Sequence, residues 1–262
     1  MNNLNLIIMN NINAIKFLSE GTSTIQLSAL SHTKIGEPSI VSLEYSYNSI
    51  DWDKWDLSAL TINSDDTLYI RGYNPNGFSD IYTYYSFLIN GDKVSCSGNI
   101  MSLIDYKNLP DIIPCSYCFY RLFENCALLT TAPELPATIL ADSCYEGMFL
   151  NCTALTTAPK LPATKLTNRC YLNSCYYQMF SGCTALTNVP VLPATILSEW
   201  CYSYMFKNCT SLKTVSVVQQ TNITDNCYYH MFSGRILLKV KQFLMTIIKS
   251  LQKPFIHFNS KS

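Results

Sequence analysis

One phrase recurs five times between residues 118 and 234, and it constrains the fold more than any other feature of the chain. It reads Cys118-Phe-Tyr-Arg-Leu-Phe-Glu-Asn-Cys126, Cys144-Tyr-Glu-Gly-Met-Phe-Leu-Asn-Cys152, Cys175-Tyr-Tyr-Gln-Met-Phe-Ser-Gly-Cys183, Cys201-Tyr-Ser-Tyr-Met-Phe-Lys-Asn-Cys209 and Cys227-Tyr-Tyr-His-Met-Phe-Ser-Gly234. The starts are spaced by 26, 31, 26 and 26 residues. After each second Cys comes a second shared phrase, as in Leu155-Thr-Thr-Ala-Pro-Lys-Leu-Pro-Ala-Thr164 and Leu186-Thr-Asn-Val-Pro-Val-Leu-Pro-Ala-Thr195. A fixed period of this length marks a solenoid, in which each unit covers its apolar face only against its neighbours.

Inside a unit, Cys144, Met148 with Phe149, and Cys152 fall at i, i+4/i+5 and i+8, a spacing that predicts one short helix. Asp142 or Ser143, Ser198, and Thr224 or Asp225 stand where helix N-caps are wanted. Leu155, Ala158 and Leu161 recur as Leu186, Val189 and Leu192, then as Leu212, Val215 and Val218; prolines 133, 159 and 190 restrict these to one short strand per unit. The expected structural ladder is Cys126, Cys152, Cys183 and Cys209 with Phe123, Phe149, Phe180 and Phe206. An outward loop is expected at Cys170-Tyr-Leu-Asn-Ser-Cys175, where the phrase stutters.

Upstream, short alternating runs with turn residues between them (Ile15-Lys-Phe-Leu, Ser23-Thr-Ile-Gln-Leu, Ile40-Val-Ser-Leu-Glu-Tyr, Thr67-Leu-Tyr-Ile-Arg, Tyr84-Tyr-Ser-Phe-Leu-Ile) predict a small β-sandwich. Trp52 and Trp55 suit core-edge packing better than an aromatic sugar platform. The tail changes grammar: where the phrase demands Cys the chain supplies Arg235. Ile236/Leu237, Val240, Phe243/Leu244, Ile247/Ile248 and Leu251 then form a basic amphipathic stripe. That stripe is open to three readings: a cap on the last unit, a helix touching a membrane surface, or an out-of-frame or truncated end.

The Met-Phe-x-x-Cys-x-x-Leu core, seen in Met148-Phe-Leu-Asn-Cys-Thr-Ala-Leu155, Met179-Phe-Ser-Gly-Cys-Thr-Ala-Leu186 and Met205-Phe-Lys-Asn-Cys-Thr-Ser-Leu212, resembles the BspA-type leucine-rich repeats. With the preceding β-domain that ends in Gly-Asn-Ile-Met-Ser-Leu, the chain is similar to surface or virion proteins of gut bacteria and their phages. The resemblance implies adhesion or recognition without catalysis, and a cell-surface or virion setting. The expected fold class is α+β: a small β-sandwich, then a leucine-rich-repeat solenoid with one short strand and one short helix per turn, then an amphipathic helix. Expected boundaries are a disordered start at 1–13, the sandwich at 14–105, a junction at 106–117, about five solenoid turns at 118–234 and the basic tail at 235–262.

Formal charge is zero, but residues 1–117 carry six basic and twelve acidic groups, 118–234 six of each, and 235–262 six basic and none acidic. A neutral, tyrosine-rich array lacks the basic face that nucleic acid requires. Ten of the twelve cysteines lie in or beside the repeat frame, which favours buried free thiols over disulfides. No basic, apolar and small-residue sequence of a secretory signal opens the chain, so a cytoplasmic setting stays open, and no apolar run is long enough to span a bilayer. Cys115-Ser-Tyr-Cys118 has the spacing of a redox pair or half a zinc site, but no second pair matches it and Cys118 belongs to the repeat. His32, His230 and His257 are scattered, and His230 occupies a slot held elsewhere by Gly147, Gln178 and Tyr204. No enzyme, cofactor or metal site is therefore expected. A protein or glycan is expected to bind the strand face at Thr131, Glu134, Thr157, Lys160, Asn188, Val191 and Thr214. The alternatives are a structural spacer presenting the β-domain and, remotely, a hydrolase using His230.

Overall fold

The computed structural model describes residues 12–31, 40–80, 82–166, 174–213, 224 and 226–234. Thr214, most of the 170–175 stutter, His32, His257, residues 1–11 and the whole tail from 235 lie outside the described residues.

Alternating side chains build the first half. In β1 (Ile15–Ser19), Ile15, Phe17 and Ser19 point inward while Lys16 and Leu18 face out. It lies between β6 (Thr67–Gly72) and β8 (Val94–Gly98), antiparallel to both. Beyond β6 come β3 (Leu43–Ser46) and β4 (Asp53–Lys54), giving the order β4-β3-β6-β1-β8. A second sheet sets β2 (Ser23–Ser31) between β5 (Leu60–Ile62) and β7 (Thr83–Gly91). The sheets share one core, in which Phe17 meets Phe87 edge-on at 5.3 Å. The helix α1 (Ser102–Asp105) is strapped to this body by the buried Asn74, whose amide donates to the carbonyls of Leu103 (2.7 Å) and Ser42 (3.2 Å).

The first repeat extends both sheets. On one side, β9 (Leu129–Thr131) pairs parallel with β8 as the sixth strand, and the Thr130 and Thr131 hydroxyls donate to the carbonyls of Val94 and Cys96 at 3.1 and 2.9 Å. On the other, Phe87 in the edge strand β7 donates its amide to Leu122 (2.8 Å) and accepts the Cys126 thiol (3.1 Å). Two edges that would otherwise invite intermolecular pairing are thus covered by the chain itself.

Each later unit stacks on the one before. Phe123, Phe149, Phe180, Phe206 and Phe232 form a column with ring centroids 5.5 to 5.6 Å apart and planes within 13°. Phe87 continues it as an extra rung, 5.0 Å from Phe123. A second column runs Phe78, Phe119, Tyr145, Tyr176, Tyr202, Tyr228. The thiols of Cys152, Cys183 and Cys209 donate to the Phe123, Phe149 and Phe180 carbonyls at 3.0 to 3.1 Å. Along another line, Thr156 and Thr187 each donate both their amide and their hydroxyl to the preceding unit's threonine carbonyl, Thr130 and Thr156 respectively.

The expected α+β leucine-rich-repeat solenoid, with a helix and a strand in every turn, is not what forms. The described residues are mainly strand and turn with almost no helix and no solenoid closure. Among them α1 is the only named helix, it lies outside the repeats, and only the first repeat carries a named strand. The reason is a left-handed backbone at every fourth residue: Tyr117, Arg121 and Asn125 (φ 60°, 51°, 60°), Ser143, Gly147 and Asn151 (50°, 59°, 60°), Gln178 and Gly182 (54°, 78°), Trp200, Tyr204 and Asn208 (60°, 54°, 60°), Asn226, His230 and Gly234 (55°, 49°, 103°). Such a residue stops an α-helix before it propagates. What remains is a run of linked turns. Met148, Leu150 and Cys152 donate to carbonyls three residues back, whereas the intervening amides of Tyr145, Gly147, Phe149 and Asn151 donate across to Cys175, Tyr177, Met179 and Ser181. Every second amide is therefore satisfied within its unit and the others by the next unit, which meets the backbone's hydrogen-bonding demand without a helix. The strands are short where the second phrase carries two prolines, as at Pro133 and Pro136, Pro159 and Pro162, and Pro190 and Pro193, which cannot donate to a ladder. Among the described residues, no helix is long and apolar enough to cross a membrane; the expected amphipathic helix of the tail lies outside them.

Candidate binding surface

The four-residue turn sorts each unit into inward and outward columns. Cys144, Tyr145, Met148, Phe149 and Cys152, with their described equivalents, point in and, apart from the half-buried Tyr228, are almost completely buried. The two positions after the aromatic vary from unit to unit: Tyr120 and Arg121, Glu146 and Gly147, Tyr177 and Gln178, Ser203 and Tyr204, Tyr229 and His230; of these Tyr120, Gly147 and Ser203 are buried and the other seven are half-buried. The second of each pair is the left-handed slot, and its side chain is half-buried at Arg121, Gln178, Tyr204 and His230.

Aromatic rings crowd this outward face. Tyr204 packs edge-on against Tyr177 at 5.8 Å and Tyr229 at 5.5 Å, stacks on His230 at 5.4 Å, and has the Lys207 ammonium 5.2 Å over its ring. Trp200 meets Tyr229 at 5.1 Å. All of these rings are half-buried, which leaves part of each face open to a ligand. At the sandwich end, Arg121 binds Glu124 (2.8 Å) and lies 5.1 Å over Tyr120, which is itself edge-on to Tyr84 at 5.2 Å.

Electrostatics at that end are set by burial. Desolvation pushes the Glu146 carboxyl up to about 7, against the lowering effects of the Ser143 hydroxyl donated at 2.6 Å and of Arg121. Burial also pushes Tyr120 up to about 12, with Arg121 opposing. Glu146 thus carries a mixture of charged and neutral forms at neutral pH, and can either accept or donate a hydrogen bond.

The residues expected to contact a ligand lie elsewhere, on the side of the threonine line. Glu134, Thr157, Lys160, Asn188 and Val191 are exposed, Val191 at 66%. Thr131 is half-buried and its hydroxyl is committed to Cys96, so it serves the sheet. Because only the first unit has a named strand, these positions form a row of irregular edges in place of an extended sheet face. Trp52 and Trp55 do not form a joint platform: Trp55 is buried, stacked 6.4 Å from Phe87 and donating to the Ser58 carbonyl, while Arg71 covers Trp52 at 3.7 Å. His230 is built into the aromatic face, 4.2 Å from Tyr229. Among the described residues, no three of His, Cys, Asp and Glu are grouped so as to hold a metal ion.

The turn face escapes a helical reading of the sequence, although one signal points to it. Asn125, Asn151, Gly182, Asn208 and Gly234 precede the second cysteine position of every unit, and Asn and Gly are the residues most at ease in the left-handed region. Comparison with family models, with curated proteins and with solved structures finds no match to this chain.

Proposed function

We propose that the chain is a non-catalytic binding module whose stacked repeats present varied side chains on a fixed frame to a protein or glycan. The observation that carries this reading is the division between columns. Inward positions repeat nearly the same residues, while the pair after the aromatic runs through Tyr-Arg, Glu-Gly, Tyr-Gln, Ser-Tyr and Tyr-His and leaves Arg121, Glu146, Tyr177, Gln178, Tyr204, Tyr229 and His230 half-buried. A frame this regular holds such side chains at set spacings, and half-buried Tyr, Trp and Arg are the types that anchor recognition surfaces. The resemblance to BspA-type repeats supports a cell-surface or virion setting for that role.

A spacer role, in which the stack and the β-domain form one rigid support, is favoured by the Phe87 rung that joins their cores. The full-length chain, screened on glycan and protein arrays beside a Tyr177→Ala/Tyr204→Ala/Tyr229→Ala variant, separates the two readings. A binding module shows wild-type ligands whose affinity falls at least about tenfold in the variant. No ligand on either array favours the spacer. A ligand bound equally by both proteins moves recognition to the Thr157, Lys160, Asn188 and Val191 side.

A further inference from the structure

The repeat explains Cys118, the first member of the buried thiol column, but not Cys115. Its equivalents three residues before Cys144, Cys201 and Cys227 are Ala141, Ser198 and Thr224. Cys115 is also the only described cysteine that is not buried. Its surroundings are shaped to its sulfur. Gly77, at φ +119°, has no side chain to offer, and a Cβ there would sit 2.1 Å from Cys115 Sγ. The Cys115 thiol donates to the Ser79 carbonyl at 3.4 Å, the Phe78 amide faces both sulfurs, and the Cys118 thiol hydrogen-bonds Cys115. Tyr117, left-handed at φ 60°, closes the turn between the two cysteines, and its amide is pinned to Asp142 of the next unit.

We propose that Cys115 and Cys118 form a thiol–disulfide exchange site for small-molecule disulfides, closing an intramolecular bridge at the foot of the repeat stack. The donor pattern assigns the roles. The hydrogen bond from Cys118 is the largest influence on Cys115 and holds its thiol below the usual range, with partial burial and the nearby Asp80 carboxylate acting against it. Burial, followed by the same hydrogen bond, holds Cys118 well up, so it stays protonated. The Cys115 thiolate attacks one sulfur of the disulfide RSSR, forming a mixed disulfide and releasing RS⁻. Cys118 then gives its proton to water and attacks Cys115 Sγ, which forms the Cys115–Cys118 bond and expels the second RS⁻; the two departing thiolates take up, through water, the two protons that the cysteines release. Two protein thiols are oxidised and one small disulfide is reduced to two thiols.

The test uses the fully reduced full-length chain, with oxidised glutathione as the probe, and reads intact mass, peptide maps and labelling rate against pH. The wild type should lose two thiols without keeping an adduct, and the bridge should map to residues 115 and 118. Cys115 should label at least about tenfold faster than the buried thiols. Cys115→Ser, which places there the residue found at the equivalent Ser198, should abolish both the fast phase and the bridge. Cys118→Ser should trap a stable mixed disulfide at Cys115. If Cys118→Ser fails to fold, the wild-type map and Cys115→Ser decide. A persistent adduct in the wild type, a fast phase that survives Cys115→Ser, or no bridge between 115 and 118 overturns the proposal.

Discussion

Replacing Gly147 by Ala has opposite signs in a helix and in the linked turns described above. Inside an α-helix, Ala is better than Gly by roughly 0.8–1.0 kcal/mol, so the variant would be stabilised. Here Gly147 sits at φ +59°. An L-residue in that region costs roughly 1–2 kcal/mol. The added Cβ would also lie 3.1 Å from Arg121 Cγ, a contact that the flexible arginine can relieve by a small shift. The net expectation is a loss of about 1–2 kcal/mol, with binding of any ligand at the Tyr177, Tyr204 and Tyr229 end unaffected. Urea unfolding followed by tyrosine fluorescence measures it, provided that the denaturant dependence of the variant matches the wild type. An increase in stability would refute the left-handed turn and restore a helical unit.

Other perturbations probe the remaining parts. Phe180 is fully buried between Phe149 and Phe206, so Phe180→Ala should cost about 3–5 kcal/mol in chemical denaturation; a change below about 0.5 kcal/mol would place the column in solvent. Phe87→Ala should lower the protection of residues 119–123 in hydrogen exchange together with that of β7, because the ring belongs to both cores; an effect confined to β7 would uncouple them. Glu146 has a folded-state pKa raised from 4.5 to about 7, so the contribution of its neutral form is fully present below about pH 4.5 and fades as pH rises through about 7. Glu146→Gln should flatten that slope, worth up to about 3 kcal/mol over the window, and an unchanged pH profile would show that Glu146 is solvated.

The repeat frame and its inward columns were legible because identical residues return at fixed spacing, and Phe123, Phe149, Phe180 and Phe206 stack where that spacing puts them. Local conformation was not legible in the same way. A spacing of i, i+4 and i+8 fits a helical stripe of 3.6 residues per turn nearly as well as a strict four-residue turn, and only the Asn and Gly before each second cysteine position tell them apart. At Arg121, Gln178, Trp200, Tyr204 and His230 no propensity marks the left-handed slot, because hydrogen bonds to the neighbouring unit, such as Gln178 N–H to Ser203, override it. The extra rungs Phe78 and Phe87 lie outside the repeat phrase, so nothing in their local sequence identifies them as the base of the stack. The outward aromatic face followed from the turn geometry and could not be found before it.

The turn ladder is tested most directly by backbone NMR of the full-length chain, with φ obtained from chemical shifts and from three-bond couplings between amide and Cα protons at Gly147, Asn151, Gln178, Tyr204 and Asn208. Positive φ near 50–60° is expected at each of these residues, with ordinary negative φ between them. Helical values near −63° running unbroken through 144–152 and 201–209 would contradict it.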